Sequence, residues 1–204
     1  MSNKGTALVI GSNSDVAKSA IELIKLDYDI IGIDRSTVDL AHASATEKIR
    51  QLLHKHQPDV IIHCGGVFHD NNLTSDFDTT FDINVKSHWA VIRYYIDHPP
   101  EKRVNFVMIG SSTYKQGRKN FILYAASRSA QFSMWQGSSE YCSQNFVIGL
   151  INPVRVNTKH VAHIAHPNPE ICLEAIDVAK EIQKLCKVET SQCIDMDYKK
   201  KDTL

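Results

Sequence analysis

The sequence lacks the features that mark several broad classes of protein. Lys and Arg number 23, as do Asp and Glu, so no net charge attracts nucleic acid or an acidic membrane. No apolar run approaches the roughly 18 residues that a membrane span needs. The N-terminal residues, MSNKGTALVIG, enter an apolar segment without a cleavable signal pattern. We therefore expect a cytoplasmic protein with a small-molecule substrate and with no nucleic-acid or membrane partner.

Metal and disulfide frameworks are not supported either. The five cysteines are scattered and include no C-x-x-C pair, so buried reduced thiols explain them best. His160, His163 and His166 recur at intervals of three, but a metal site there would need a carboxylate or another ligand. We predict no metal.

Six short apolar segments, rich in Val and Ile, alternate with segments of helical periodicity. The predicted strands are 7–11, 29–34, 59–64, 104–110, 146–152 and 193–197, and the predicted helices are 15–27, 44–56, 74–97, 121–143 and about 169–187. In the first helix the buried stripe is predicted to be Val16, Ala20, Leu23 and Ile24. Continuous apolar strands are covered on both faces, and this alternation is typical of right-handed crossovers. The sequence predicts an α/β fold: a single Rossmann-type domain over 1–204, with a doubly wound parallel sheet and helices on both faces.

The first predicted strand leads into the loop IGSNSDVA, which has the character of a nucleotide-binding turn. Gly11 permits a sharp turn, and a helix begins near Asp15, where backbone amides can hold a pyrophosphate. Gly11 is the only glycine there, so G-x-G-x-x-G is absent, and Ser14 or Asp15 could simply cap the helix. Both interpretations stay open from the loop alone.

The second predicted strand ends at Asp34, roughly 20 residues after the loop, where a carboxylate can accept both ribose hydroxyls of an adenosine. It would repel a 2′-phosphate, so NAD is favoured as the cofactor. Arg35 keeps NADP possible, because its guanidinium could pair with that phosphate. The alternative is a turn aspartate beside a surface arginine. Asp39 and the glycines at 65–66 complete a plausible wall around the adenosine.

The order of these segments resembles the short-chain dehydrogenase/reductase family. The matching segments are GSNSDVA at 11–17, Asp34, Asp39, HCGG at 63–66, INV at 83–85, GSS at 110–112, YAASR at 124–128 and INPVRVNT at 151–158. The resemblance spans nearly the whole chain and implies an NAD(P)-dependent oxidoreductase that assembles as a homodimer or homotetramer. Asp15 and Ala17 stand where the family's loop has glycines, HCGG replaces NNAG, and Val154 replaces the glycine after the proline.

The loop, the second strand and the resemblance together predict a set of cofactor-binding residues. They are Gly11, Asn13, Ser14, Asp15, Val16, Asp34, Arg35, Asp39, Leu40, Cys64, Gly65, Gly66, Tyr124, Arg128, Pro153, Val154 and Val156.

The resemblance also implies a catalytic tyrosine, Tyr124, which gives its proton to a carbonyl oxygen while hydride leaves the nicotinamide. Arg128 stands where the family has a lysine. A free phenol has a pKa of about 10, so acid–base work near pH 7 requires roughly 4 kcal/mol of preferential stabilisation of its anion. Tyr124 and Arg128 are i and i+4 on a predicted helix and share a face. Arginine practically never deprotonates, so Arg128 could stabilise the anion but could not relay a proton.

Ser112 and Asn84 complete the catalytic set that the resemblance implies. Ser112 follows the strand at 104–110 and would orient the substrate carbonyl, with Ser111 as its rival. Asn84 matches the asparagine that braces the site through a helix distortion and an ordered water. The alternative for Asn84 is a polar side chain in mid-helix that faces solvent.

Basic residues in loops at the mouth of the site could hold a phosphate, although ordinary surface charge also explains them. They are Lys115, Arg118, Lys119, Arg155 and Lys159. The segments at 111–130 and 151–158 resemble the reductase module that makes ribitol phosphate from ribulose phosphate for CDP-ribitol. This likeness favours a carbonyl reductase for a small polar substrate, such as a sugar phosphate, in capsule or cell-surface polysaccharide biosynthesis.

Two other functions stay open. Arg128, Asp15 and Val154 depart from the family pattern together, which would suit a non-catalytic dinucleotide-binding module with a regulatory or assembly role. An epimerase-like enzyme would instead hold NAD tightly enough to copurify with it.

Overall fold

A computed structural model describes residues 4–68, 77–117, 119–159 and 172–197. The strands are β1 Gly5–Ile10, β2 Tyr28–Ile33, β3 Val60–His63, β4 Val104–Ile109, β5 Phe146–Pro153, β6 Val156–Asn157, β7 Leu173–Glu174 and β8 Gln192–Met196. The helices are α1 Asp15–Ile24, α2 Ala45–His56, α3 Phe77–Phe81, α4 Ser87–Asp97, α5 Ile122–Tyr141 and α6 Ala175–Leu185. A π-helix at Asp82–Lys86 joins α3 to α4, and a 3-10 helix occupies Ser112–Lys115.

Six strands form one parallel sheet in the order β2-β1-β3-β4-β5-β8. The predicted α/β doubly wound sheet is therefore confirmed, and each predicted strand overlaps an observed one. The strand order reverses at β1, which pairs with β2 on one side and β3 on the other. A reversal of this kind opens a crevice at the carboxyl ends of the strands, where ligands bind in open α/β sheets.

Apolar side chains alternate between the two faces of the sheet, and helices cover both. Leu8, Ile61 and Phe106 face α2, α4 and α5, whereas Val9, Ile62 and Val107 face α1 and α6. All six of these side chains are essentially inaccessible to solvent. Burial on both faces explains why the central strands β1, β3, β4 and β5 are largely apolar instead of alternating with polar residues.

The buried stripe of α1 differs from the prediction at two positions. Ala20 and Ile24 are buried as expected, but Val16 and Leu23 are only partly buried, and Ala17 is fully buried instead. Positions 17, 20 and 24 are spaced three and four residues apart, which places them on one face of the helix.

None of the helices in the described part of the chain is both long and apolar enough to cross a bilayer. All five cysteines are free thiols. Only Cys186 is fully buried, so the prediction of buried thiols is wrong for the other four. Among the described residues there is no group of three His, Cys, Asp or Glu side chains that could hold a metal ion. The three histidines at 160, 163 and 166 lie outside the described residues.

Candidate active site

The backbone of the loop after β1 lies directly against the backbone of the chain after β3. Gly11 has a φ of 78°, in the left-handed region that favours glycine. A β-carbon at Gly11 would lie 2.5 Å from the Gly65 amide nitrogen. Any larger residue at position 11 would therefore push these two loops apart at the crevice.

The amino end of α1 faces the same crevice. Ser14 caps the helix, since its Oγ accepts a hydrogen bond of 3.2 Å from the Ala17 amide. The first amides of a helix have no partner within it and attract negative charge. Asp15, a predicted cofactor contact, has its Oδ2 occupied by the Lys159 amide at 2.8 Å. Val16 packs partly buried against the core. The turn and the first amides of α1 suit a pyrophosphate, whereas the side chains of Asp15 and Val16 contact other parts of the chain, and their predicted cofactor contacts stay predictions.

Asp34 follows β2 and is held in one orientation. Its Oδ1 accepts from the hydroxyl and amide groups of Ser36 and Thr37, and its Oδ2 accepts from Asn13 Nδ2 at 2.7 Å. These hydrogen bonds, led by the Ser36 hydroxyl, lower the pKa of Asp34. The carboxylate is thus an oriented anion at the carboxyl end of the sheet, close to the Gly11 loop.

The remaining predicted adenosine contacts surround this anion. Arg35 is exposed and its Nε lies 3.5 Å from Asp39 Oδ2. Leu40 packs on Gly65 so closely that a β-carbon there would lie 2.6 Å from Leu40 Cδ1. Burial raises the pKa of the Cys64 thiol to about 12, so Cys64 is a neutral part of the wall.

Asn84 lies in the π-helix and is completely buried. Its Oδ1 accepts from the Val67 amide at 2.9 Å, and its Nδ2 donates to the Val67 carbonyl at 2.9 Å and to Ser127 Oγ at 3.1 Å. The predicted helix distortion is therefore present, and the solvent-facing alternative is wrong. Asn84 ties the chain after β3 to helix α5.

Tyr124 is half-buried on α5, with its ring in an aromatic cluster. Phe68 meets it edge-on at a centroid distance of 4.7 Å, and Phe121 does so at 6.2 Å. The Tyr124 carbonyl accepts from Ser127 Oγ at 2.8 Å, so the same serine links Tyr124 to Asn84. Asn84 and Tyr124 are thereby fixed in one hydrogen-bonded unit.

Arg128 lies next to Tyr124, as the i, i+4 spacing predicted, but it is not a surface residue. Its Cζ is 5.0 Å from the centroid of the Tyr124 ring, and the residue is only 6% exposed. Its Nη1 donates to the Ile109 carbonyl at 3.2 Å and to Gln131 Oε1 at 2.8 Å. A buried cation thus lies against the tyrosine at the end of β4.

The two candidate serines differ in their surroundings. Ser111 is buried and its Oγ accepts from the amide and the hydroxyl of Thr113, which caps the 3-10 helix. Ser112 is the first residue of that helix and is partly exposed. The hydroxyl of Ser111 therefore stabilises the start of the 3-10 helix. The role of Ser112 in orienting the substrate carbonyl stays a prediction.

The basic residues predicted at the mouth do not form one group. Lys115 Nζ pairs with Asp195 Oδ2 at 2.7 Å, and this hydrogen bond raises the pKa of Lys115. Lys119 lines a cavity of about 410 Å³ at the start of α5. Lys159 contributes its backbone amide to Asp15, the Arg155 carbonyl accepts from the Leu173 amide, and Arg118 lies outside the described residues.

The turn after β5 is built into the sheet edge. Pro153 is the last residue of β5, and the Val154 amide donates to the Met196 carbonyl at 3.0 Å. Val156 pairs with Leu173 in the short β6–β7 sheet, which was not predicted. These contacts place the turn beside the carboxyl end of β8.

Sequence reasoning missed the polar side chains behind Arg128. Gln131 and His88 are fully buried and hydrogen-bonded to each other, and His63 stacks on His88. The only signal for Gln131 was its place three residues after Arg128, on the same face of the helix.

Comparisons with known proteins agree with this architecture. Residues 7–133 match the model of the NAD dependent epimerase/dehydratase family. The solved structure of ElxO with NADP bound is 18% identical, with a TM-score of 0.79 over 96% of this chain and 98% of that one. A short chain dehydrogenase from Burkholderia cenocepacia in complex with NADP is 17% identical, with a TM-score of 0.79 over 95% and 96% of the two chains. A 3-ketoacyl-(acyl-carrier-protein) reductase from Brucella melitensis complexed with NADH is also 17% identical, with a TM-score of 0.79 over 95% and 97%. No curated protein matches the sequence.

Proposed function

The chain belongs to the NAD dependent epimerase/dehydratase family, of short-chain dehydrogenase type, and on that premise we propose that it is an NAD(P)-dependent oxidoreductase for a small polar carbonyl or alcohol. The observation that carries the proposal is the buried Arg128 guanidinium, 5.0 Å from the Tyr124 ring centroid. Both residues follow the carboxyl ends of parallel strands, as do the Gly11 loop and Asp34. The cofactor-binding residues and the catalytic residues would then lie at the same edge of the sheet.

The chain's own residues support a dinucleotide at this edge. The Gly11 turn and the first amides of α1 would hold the pyrophosphate. The oriented carboxylate of Asp34 would hold the adenosine ribose, and its charge would disfavour a 2′-phosphate, so we favour NAD over NADP. Of the three solved structures described above, two carry NADP and one carries NADH, so the fold itself accommodates both forms.

Tyr124 would act as the acid in reduction and as the base in oxidation, through its phenol oxygen. When bound, the nicotinamide supplies or takes up the hydride. The Arg128 guanidinium, whose Cζ lies 5.0 Å from the centroid of the Tyr124 ring, would favour a negative charge on the phenol oxygen. Arg128 would do so as a permanent cation, without exchanging a proton itself. Ser112 would orient the carbonyl oxygen.

A phosphorylated sugar is the substrate class we propose. The segments at 111–130 and 151–158 resemble a ribulose phosphate reductase module, which would place the reaction in the synthesis of a cell-surface polysaccharide. Lys115 is less suited to hold the phosphate than predicted, because Asp195 already neutralises it. The family likeness also favours a homodimer or homotetramer.

The decisive experiment is single-turnover oxidation of bound reduced cofactor by ribulose phosphate or by a panel of carbonyl compounds. Tyr124→Phe should slow the step at least a hundredfold, since general acid–base groups contribute about 10² to 10⁴ in rate. Tyr141→Phe, at an exposed position of the same helix, should match the wild type. Equal rates in the wild type and Tyr124→Phe, or no turnover at all, would refute the oxidoreductase.

A non-catalytic dinucleotide-binding module is the second candidate. The bond between Asp15 and the Lys159 amide favours it, because a carboxylate in the nucleotide loop serves the fold there. This candidate predicts dinucleotide binding without turnover. Cofactor absorbance in the purified protein would instead indicate the epimerase-like enzyme with tightly held NAD.

A further inference from the structure

A continuous chain of buried polar side chains lies behind Arg128, between β3, α4 and α5. Its members are Arg128, Gln131, His88, Ser87 and His63, and none of them is more than 6% exposed. Gln131 is in contact with Arg128 on one side and with His88 on the other. Ser87 Oγ then reaches His63 Nε2 at 2.9 Å. Polar groups buried this deeply are costly unless they are hydrogen-bonded, so their arrangement is tightly constrained.

The direction of each hydrogen bond around Gln131 follows from the chemistry of arginine. A guanidinium can only donate, so the atom 2.8 Å from Arg128 Nη1 must be the Gln131 carbonyl oxygen. The amide nitrogen of Gln131 then donates to the Ile109 carbonyl at 3.1 Å and to His88 Nε2 at 3.0 Å. His88 Nε2 must therefore carry a lone pair, and the buried imidazole is neutral. Each atom of the Gln131 amide is used, and the amide has one orientation.

We propose that Gln131 is a positioning residue that holds the Arg128 guanidinium against Tyr124 without neutralising its charge; this inference rests on the proposed function. Arg128 forms no ion pair with a carboxylate in the part of the chain that the structure describes. The two acceptors of Nη1 are a backbone carbonyl and a neutral amide. A glutamate at position 131 could still accept a hydrogen bond from the guanidinium, but it would lose the two hydrogen bonds that the Gln131 amide nitrogen donates, and its negative charge would oppose that of Arg128.

Gly66 lies against Nη2 of the Arg128 guanidinium, whereas Gln131 contacts Nη1. A β-carbon there would lie 2.7 Å from Arg128 Nη2, closer than real side-chain contacts allow. Arg128 is thus enclosed by Gly66, the end of β4 and Gln131. Gln131 is the only one of these three that holds it through a side-chain hydrogen bond.

The test compares two substitutions at position 131 with a matched control. Gln131→Met keeps the length of the side chain but removes the acceptor, and Gln131→Glu keeps the acceptor but adds a negative charge. Gln136→Met makes the same change at an exposed position of α5. One readout is the rate at which phenylglyoxal modifies Arg128, followed by mass spectrometry with exposed Arg93 as the internal reference. The other is the pH at which alcohol oxidation reaches half its maximal rate.

In Gln131→Met, Arg128 should react about ten times faster than in the wild type, since the hydrogen bond to Gln131 Oε1 is lost. The half-maximal pH should rise, because the guanidinium would no longer be held beside Tyr124. In Gln131→Glu, phenylglyoxal should modify Arg128 as slowly as in the wild type, whereas the half-maximal pH of alcohol oxidation should still rise. Gln136→Met should change neither. A purely structural role would leave the half-maximal pH unchanged in Gln131→Met.

If phenylglyoxal modifies Arg128 as slowly in Gln131→Met as in the wild type, the inference is wrong. An unchanged half-maximal pH in both variants at position 131 would also overturn it. A wild-type protein without turnover would refute the proposed function instead, and the modification rates would still decide whether Gln131 holds Arg128.

Discussion

The imidazole rings of His63 and His88 are stacked, with their centroids 3.7 Å apart and their planes 21° from parallel. Neither side chain is exposed to solvent. Burial, assisted by the nearby Arg128 charge, lowers the pKa of His63 to about 3. Burial, the neighbouring His63 imidazole and the charge of Arg128 also hold the pKa of His88 well below its usual range. Both rings are therefore neutral in the folded protein.

This pair predicts a loss of stability in mild acid. The unfolded chain titrates its histidines near pH 6.5, so between about pH 6.5 and pH 3 it binds more protons than the folded chain. The free energy of unfolding therefore falls as the pH drops through this window, by about 2 kcal/mol from His63 alone on reaching pH 5. Urea unfolding at pH 7.5 and pH 5 measures the change. Replacing exposed His54 with Gln should leave the difference unchanged, and equal stability at both pH values would contradict the prediction.

Gly66→Ala should displace Arg128. The new β-carbon would lie 2.7 Å from Nη2, and a flexible side-chain end yields before the backbone does. We expect turnover to fall at least tenfold, while the free energy of unfolding changes by less than about 2 kcal/mol, since a flexible side chain can relieve the overlap. Gly117→Ala is the matched control, because a β-carbon there meets nothing within 4 Å. If both variants turn over at the wild-type rate, turnover does not depend on the contact between Gly66 and the Arg128 guanidinium, and the prediction is wrong.

Asn84→Ala should destabilise the protein by about 3 kcal/mol, because it removes three hydrogen bonds, one buried and two part-buried, and leaves their partners unsatisfied. Asn145→Ala removes hydrogen bonds to two carbonyls near the surface and should cost less than about 1.5 kcal/mol. Urea unfolding followed by circular dichroism gives both values. Equal losses in the two variants would show that the π-helix does not depend on Asn84.

Asp34→Ala should relax discrimination between the two dinucleotides in favour of NADP. The carboxylate is fixed by Asn13, Ser36 and Thr37, so its charge lies at a defined place. Titration calorimetry with NADH and NADPH measures the ratio of dissociation constants. Asp29→Ala, at the other end of β2, should leave this ratio unchanged. A wild-type protein that binds NADPH tenfold more tightly, about 1.4 kcal/mol, would show that Asp34 does not select the cofactor.

The central strands were predictable because they are buried on both faces, and continuous apolar segments such as 60–63 record this directly in the sequence. The i, i+4 spacing likewise predicted that Tyr124 and Arg128 share a face. The burial of Arg128 was not predictable, because it depends on Gly66 and on Gln131 together. A glutamine in mid-helix normally indicates a solvent-facing position, and only the packing of α5 against α4 shows otherwise.

Pairings between distant segments also escaped prediction. Asp195 neutralises Lys115 from a strand 80 residues further along the chain, and no local pattern links them. Ser111 and Ser112 could not be distinguished, because the difference lies in the 3-10 helix that Ser111 caps.

The hydrogen bond from the Lys159 amide to Asp15 joins two segments that are 144 residues apart in sequence. One segment opens the helix at the nucleotide end of the crevice, and the other continues the chain beyond β6. A displacement of either must carry the other along or give up a charge-assisted hydrogen bond. Any movement of the amino end of α1 is thereby linked to the chain that follows β6.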